Sequence, residues 1–183
     1  LNLSAYYNIR LGKSHFTISP GIGIGFEGYQ FKKQNKRYNT LVRCEDDSRH
    51  TEFEDVDTLL PYRKKILQSS LDVKYSDFLL EFRFNANSKY PKESFFVALG
   101  GKLGMLWGAS TTIRYQEDGE TKERVIYESF NLNKLRYGLH ARVGWERLSV
   151  FYTHIFSNLF SKGKGPDKTT TEPGTIGLSI DLF

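Results

Sequence analysis

The feature that most constrains this chain is the segment Leu135–Glu146, which reads Leu-Arg-Tyr-Gly-Leu-His-Ala-Arg-Val-Gly-Trp-Glu. Leu135, Tyr137, Leu139, Ala141, Val143 and Trp145 alternate with Arg136, Gly138, His140, Arg142, Gly144 and Glu146. A period of two is that of a strand with two chemically different faces. One face is a continuous apolar band ending in tryptophan, and the other mixes glycine with full charges. A water-facing surface has little need of glycine. The narrow interior of a membrane β-barrel does, because opposing side chains must share it, while the apolar face meets lipid. The inside-out alternative is a soluble lipocalin-like barrel with apolar residues in and polar residues out. Periodicity alone does not separate the two, but the glycines favour the membrane form.

The same rule runs along most of the chain. It defines strands over Leu1–Leu11, His15–Phe31, Ile66–Asn85, Ser94–Gln116, Arg124–Glu146, Leu148–Phe160 and Pro173–Phe183. Gly21, Gly23 and Gly25 share the inward phase of the second strand, leaving room for large side chains opposite. Pro20 donates no ladder bond and predicts an irregularity there. Between Tyr75 and Phe78 the apolar phase slips by one residue, which predicts a β-bulge near Ser76-Asp77. Segment 32–65 loses the alternation and is charged throughout, as in a long loop with room for a short hairpin. Its acidic part lacks EF-hand spacing and reads as a solvated loop. Short connections (Gly12–Ser14, Ala86–Glu93, Glu146-Arg147) alternate with longer or more polar ones, as in barrels with short periplasmic turns and longer extracellular loops.

Composition agrees where it bears on the question. No apolar run approaches the ~20 residues of a spanning helix, and mean hydropathy is −0.48, but alternating strands hide from such averages. The single cysteine, Cys44, excludes an internal disulfide and a cysteine metal site. The net charge of +5 suits an anionic partner such as lipopolysaccharide or nucleic acid, and equally an ordinary solvated surface, which is the commoner case. Nucleic acid is disfavoured because the basic residues are dispersed over strands and the aromatics take the lipid face.

Tyr75–Asn87 (YSDFLLEFRFNAN), Gly100–Ser110 (GGKLGMLWGAS) and Phe156–Phe183, with its Gly-Leu-Ser-Ile ending and terminal Phe, resemble the PorT-like outer-membrane β-barrel family over about residues 66–183. The resemblance implies an eight-stranded barrel in the Gram-negative outer membrane and an accessory role in secretion or membrane-protein assembly machinery. It carries no catalytic motif. The last residue, Phe183, is in phase with Gly177, Ser179 and Asp181 rather than with the lipid face, so either the end frays or Leu182 takes the terminal aromatic's usual place.

The expected fold is therefore an all-β, antiparallel, up-and-down transmembrane barrel forming one domain over residues 1–183. The inward phase holds Arg10, Glu27, Asp72, Lys74, Glu81, Arg83, Lys102, Arg114, Arg136, His140, Arg142, Glu146 and Asp181. In a narrow barrel these should form a salt-bridged plug, because unpaired charge there is costly. Phe16, Phe84, Phe95 and Trp145 lie beside short turns and should ring one interface, with Tyr115 marking the other and Trp107 nearer the band. His140 and His154 lack serine and carboxylate at persuasive spacing, so no catalytic, cofactor or metal site is expected. The functional reading is a non-catalytic accessory subunit whose partners are other outer-membrane proteins, lipid and lipopolysaccharide; the alternative is a lipid-modifying enzyme or small pore. Seven strands breaks the even parity of single-chain barrels. The count predicts that the native first strand is lacking and that the first and last strands flank a gap one strand wide.

Overall fold

A computed structural model describes residues 2–32, 38–43, 50–59, 65–90, 93–166 and 174–180. The chain forms β1 (Asn2–Tyr6), β2 (Ile9–Arg10), β3 (Phe16–Gln30), β4 (Asn39–Arg43), β5 (Thr51–Asp55), the one-turn helix α1 (Val56–Leu59), β6 (Lys65–Asn85), β7 (Phe95–Glu117), β8 (Glu120–Tyr127), β9 (Leu135–Trp145), β10 (Leu148–Ile155) and β11 (Gly174–Ile180). The main sheet runs β1-β3-β6-β7-β9-β10-β11, every neighbour antiparallel; β2 continues β1 along β3, and β8 pairs with the far half of β7. The sheet is curled into an open barrel. Arg136 of β9 reaches Glu27 of β3 with two strands, β6 and β7, lying between them in the sheet, which a flat sheet would forbid.

The irregularity expected at Pro20 is present. Tyr7 N–H donates to Pro20 O at 2.9 Å, but proline has no N–H to return, and the ladder lapses between β1 and β2 at that point.

The expected bulge lies on the facing strand instead. From Ser69 to its end β6 keeps one phase: Ser69, Leu71, Val73, Tyr75, Asp77, Leu79, Glu81, Arg83 and Asn85 all point in and are buried, and the one irregularity of β6 lies further out, at Leu67. On β7 the register skips Trp107, because Lys74 pairs with Gly108 and Tyr75 with Leu106. The extra residue inverts the phase of β7. Below Trp107 the even-numbered residues Phe96, Ala98, Lys102 and Gly104 face in; above it Thr111 and Ile113 do.

What changes at this level is the surroundings. Towards the short turns the sheet is apolar outside (Phe78, Leu80, Phe82, Leu99, Leu103) and charged inside (Asp77, Glu81, Lys102). Towards the long loops it is polar outside and apolar inside. There Leu71, Val73 and Tyr75 form a core with Leu41, Phe130, Leu132 and Phe160, flanked by Val56 against Ile113. The first pattern is that of a barrel in lipid, and the second that of a barrel in water.

The strand expected over Arg124–Glu146 is interrupted between β8 and β9. Phe130 (φ 45°) and Asn131 (φ 51°) adopt left-handed backbone conformations there, turning Phe130 and Leu132 into the barrel mouth. The interruption is tied down on both sides. Leu132 bridges to Phe160, Asn133 N–H donates to Leu159 O at 2.8 Å, and Ser161 N–H donates to Asn131 O at 2.9 Å. Asn131 Nδ2 also donates to Thr51 Oγ1 at 2.9 Å, joining the β4–β5 hairpin to the same cap.

Candidate functional site: the filled barrel interior

Two charge clusters fill the interior below the apolar cap. In the upper one Arg136 spans the lumen. Its guanidinium donates to Glu27 Oε1 at 2.5 Å and to Asp77 Oδ1 at 3.0 Å, and lies 3.6 Å from the ring centroid of Tyr75. Lys102 Nζ meets the other Asp77 oxygen at 2.8 Å. The glycines make room for this arginine: a Cβ on Gly104 would sit 2.5 Å from Arg136 Nε, and one on Gly25 would sit 3.1 Å from its Nη2.

In the lower cluster Glu81 is fully buried. It accepts from Arg142 at 3.0 Å and faces His140 Nε2 at 3.2 Å, while His140 Nδ1 lies 2.8 Å from Thr153 Oγ1. Arg142 also lies over the Tyr6 ring at 4.7 Å. Arg83 stacks on Phe96 at 3.5 Å and donates to Asn85 Oδ1 at 2.8 Å. Buried ions need this density of partners, since each lost partner leaves charge uncompensated.

The structure thus brings Glu27, Glu81, Arg83, Lys102, Arg136, His140 and Arg142 together inside. Five expected interior residues stand elsewhere or need correction. Asp72 and Lys74 lie on the outer face of β6, because its phase does not slip between Ser69 and Asn85; Asp72 accepts from Thr112 Oγ1 at 3.4 Å and Lys74 lies 5.7 Å from the Trp107 ring. The Trp107 bulge carries Arg114 to the outer face, where it pairs with Glu123 at 2.6 Å. Glu146 is an exposed turn residue with φ 51°, accepting from Trp145 Nε1 at 3.3 Å. Arg10 is exposed at the short-turn rim, donating to Ser88 O. Asp181 falls outside the described residues.

Sequence reasoning missed Asp77, Tyr6 and Thr153. Asp77 lies four residues from Glu81, so an unbroken period of two would have found it. Of the interface aromatics, Phe95 and Trp145 are direct cross-strand partners, as are Phe16 and Phe84. All four are exposed at the short-turn end. Trp107 is exposed at the change of polarity, edge-on to Phe26 at 6.4 Å. Tyr115 does not mark that level, because the bulge turns it towards the Val56–Ile113 cluster.

Above Trp107 the outer face is polar, and below it a band of apolar side chains about one bilayer core deep surrounds an ion-paired interior. Residues 1–161 match the family model described as outer membrane protein beta-barrel domain. The chain belongs to that family. Its place is accordingly the Gram-negative outer membrane, where barrels as a class keep short turns periplasmic and longer loops outside. The chain matches no curated protein and no solved structure.

The two edges of this outer-membrane barrel are β1 and β11, and among the described residues they share no ladder. Alternation of direction along the path makes them parallel to each other. A cavity of about 490 Å³ opens between them, lined by Asn2–Tyr6, by Leu178–Ile180 and by His140, Arg142 and Thr153 from the lower cluster.

Proposed function

We propose that this protein is a non-catalytic, non-conducting structural subunit of a larger outer-membrane assembly, accessory to secretion or membrane-protein assembly in the manner of the PorT-like barrels it resembles. The observation that carries this reading is the seam. Unpaired strand edges in hydrocarbon cost several kcal/mol per unsatisfied group, and Leu3, Ile176, Leu178 and Ile180 beside them are exposed. Two parallel edges are completed by one strand antiparallel to both, running with β3, β7 and β10. A partner's strand in that place would pair both edges and make the barrel a subunit. The ion-paired interior and its apolar cap speak against conduction.

Purification from the outer membrane in mild detergent tests the reading. The expected result is a stoichiometric co-purifying protein and no conductance steps in planar bilayers. A solitary, fully heat-resistant monomer would overturn it.

One observation favours the hydrolase alternative: Thr153, His140 and Glu81 form a hydroxyl–imidazole–carboxylate chain beside the seam cavity. Arg142 already engages Glu81, and Thr153 is itself buried. Acyl-ester hydrolysis abolished by Thr153→Ala would establish that alternative.

A further inference from the structure

Where the sheet passes from lipid to water, the break between β8 and β9 leaves a groove of about 490 Å³ on the outer face. One wall is Leu106, Trp107 and Ser110 of β7; the other is Tyr127, Ser129 and Lys134; Lys74 stands beside Trp107. Because Phe130 and Leu132 turn inward to build the cap, their backbone recedes and the outside is left hollow. Trp107 and Tyr127 are both exposed in it. Neither Lys74 nor Lys134 forms an ion pair with a carboxylate among the described residues, and Glu128, which also lines the groove, pairs with Arg43 at 3.8 Å. The groove therefore offers an apolar floor and two available ammonium groups.

We propose that this groove binds the phosphorylated headgroup of an outer-leaflet glycolipid. Its level decides the class of ligand. Trp107 packs edge-on against Phe26 at the top of the apolar band, and amphipathic aromatics and lysines at that depth sit among headgroups. Below the groove, exposed Met105 and Leu135 continue the lipid face, so acyl chains attached to a headgroup bound here have a surface to lie along. Above it lies water. A phosphate between Lys74 and Lys134, with its sugar against Trp107 and Tyr127, matches the groove in charge and polarity. The long-loop end faces outwards, which makes the leaflet the outer one. The proposal rests on the outer-membrane placement and is independent of how the seam is filled.

The chain has two tryptophans, so Trp145→Phe leaves Trp107 as the sole indole reporter. In neutral-detergent micelles, bisphosphorylated lipid A should shift Trp107 emission saturably. The double variant Lys74→Gln/Lys134→Gln should weaken the response at least about tenfold, two lost charge-assisted contacts being enough for that. Lys13→Gln/Lys89→Gln, at the periplasmic rim, should not. Enzymatically dephosphorylated lipid A should bind as weakly as the double variant, and inorganic phosphate at the same concentrations should give no response. Equal binding of the dephosphorylated lipid, or an unchanged affinity in a double variant that keeps its heat-modifiable gel mobility, would overturn the proposal. Saturation by inorganic phosphate alone would also overturn it, since the site would then select an anion and not a lipid.

Discussion

The two halves of this barrel are made from the same strands by opposite rules. In the membrane half β6 shows Phe78, Leu80 and Phe82 to lipid and buries Asp77 and Glu81; in the outer half the same strand, in the same phase, shows Asp72 and Lys74 to water and buries Leu71 and Val73. Alternation along a strand therefore reports that its two faces differ, while the medium outside decides which face is apolar. A strand that leaves the bilayer must exchange the chemistry of its faces or shift phase. β6 does the first. β7 uses the Trp107 bulge, which keeps Thr111 and Ile113 opposite Leu71 and Ser69 on the inner face.

The contrast can be broken most severely in the membrane half. Asp77 holds both Arg136 and Lys102, so Asp77→Ala strands two buried cations and should cost about 4 kcal/mol. Urea unfolding of the lipid-embedded barrel measures this.

Phe130→Ala in the outer half should cost about 3 kcal/mol through the cavity it leaves. Its signature differs: hydrogen exchange should rise in β4, β5 and the Leu132–Phe160 bridge while β6 and β7 below Trp107 stay protected. Uniform loss of protection would show that the two halves do not open separately.

A pair of arginines sharpens the boundary. Leu80→Arg places charge in the lipid band and should cost about 2–3 kcal/mol, whereas Gln68→Arg, on the same face of the same strand but above the boundary, should cost about 0–1 kcal/mol. Equal costs would mean that the change of medium lies elsewhere.

The smallest effect belongs to the exposed Lys122–Glu117 pair at 2.9 Å on the β7–β8 hairpin. The hydrogen bond and charge of Glu117 raise the Lys122 pKa above 10.5. A raised lysine contributes stability below its unfolded pKa and loses it as pH rises through the folded value. The melting temperature should therefore fall slightly more above about pH 10.5 in the native protein than in Lys122→Met.

Much of the membrane half was legible. Regular alternation in Leu135–Trp145 put Arg136, His140 and Arg142 inside, and the glycine run foretold the space that Tyr6, Ser4 and, at Gly25, Arg136 occupy. The outer half was misread for a physical reason. Taking every apolar residue as lipid-facing forced a phase slip at Ser76-Asp77 that β6 does not have, and so placed Asp72 and Lys74 inside and hid Asp77. On β7 the real slip, at Trp107, is masked because Met105, Trp107 and Ala109 remain apolar in steps of two, which also misplaced Arg114 and Tyr115. The break at 128–134 gave no glycine or proline signal; its turn is made by Phe130, a bulky residue seldom found with positive φ, and by Asn131, which adopts it more readily.

Trp107 is, in effect, the punctuation mark of β7. The eight residues from Gly108 to Tyr115 take their inside or outside assignment from the presence of that one extra position. A one-codon deletion there would exchange their inner and outer faces at a stroke, a change that no point substitution could imitate. For this chain, length is then a stricter quantity than composition: a substitution at Trp107 leaves the assignment of those eight residues in place, whereas losing the position itself inverts it.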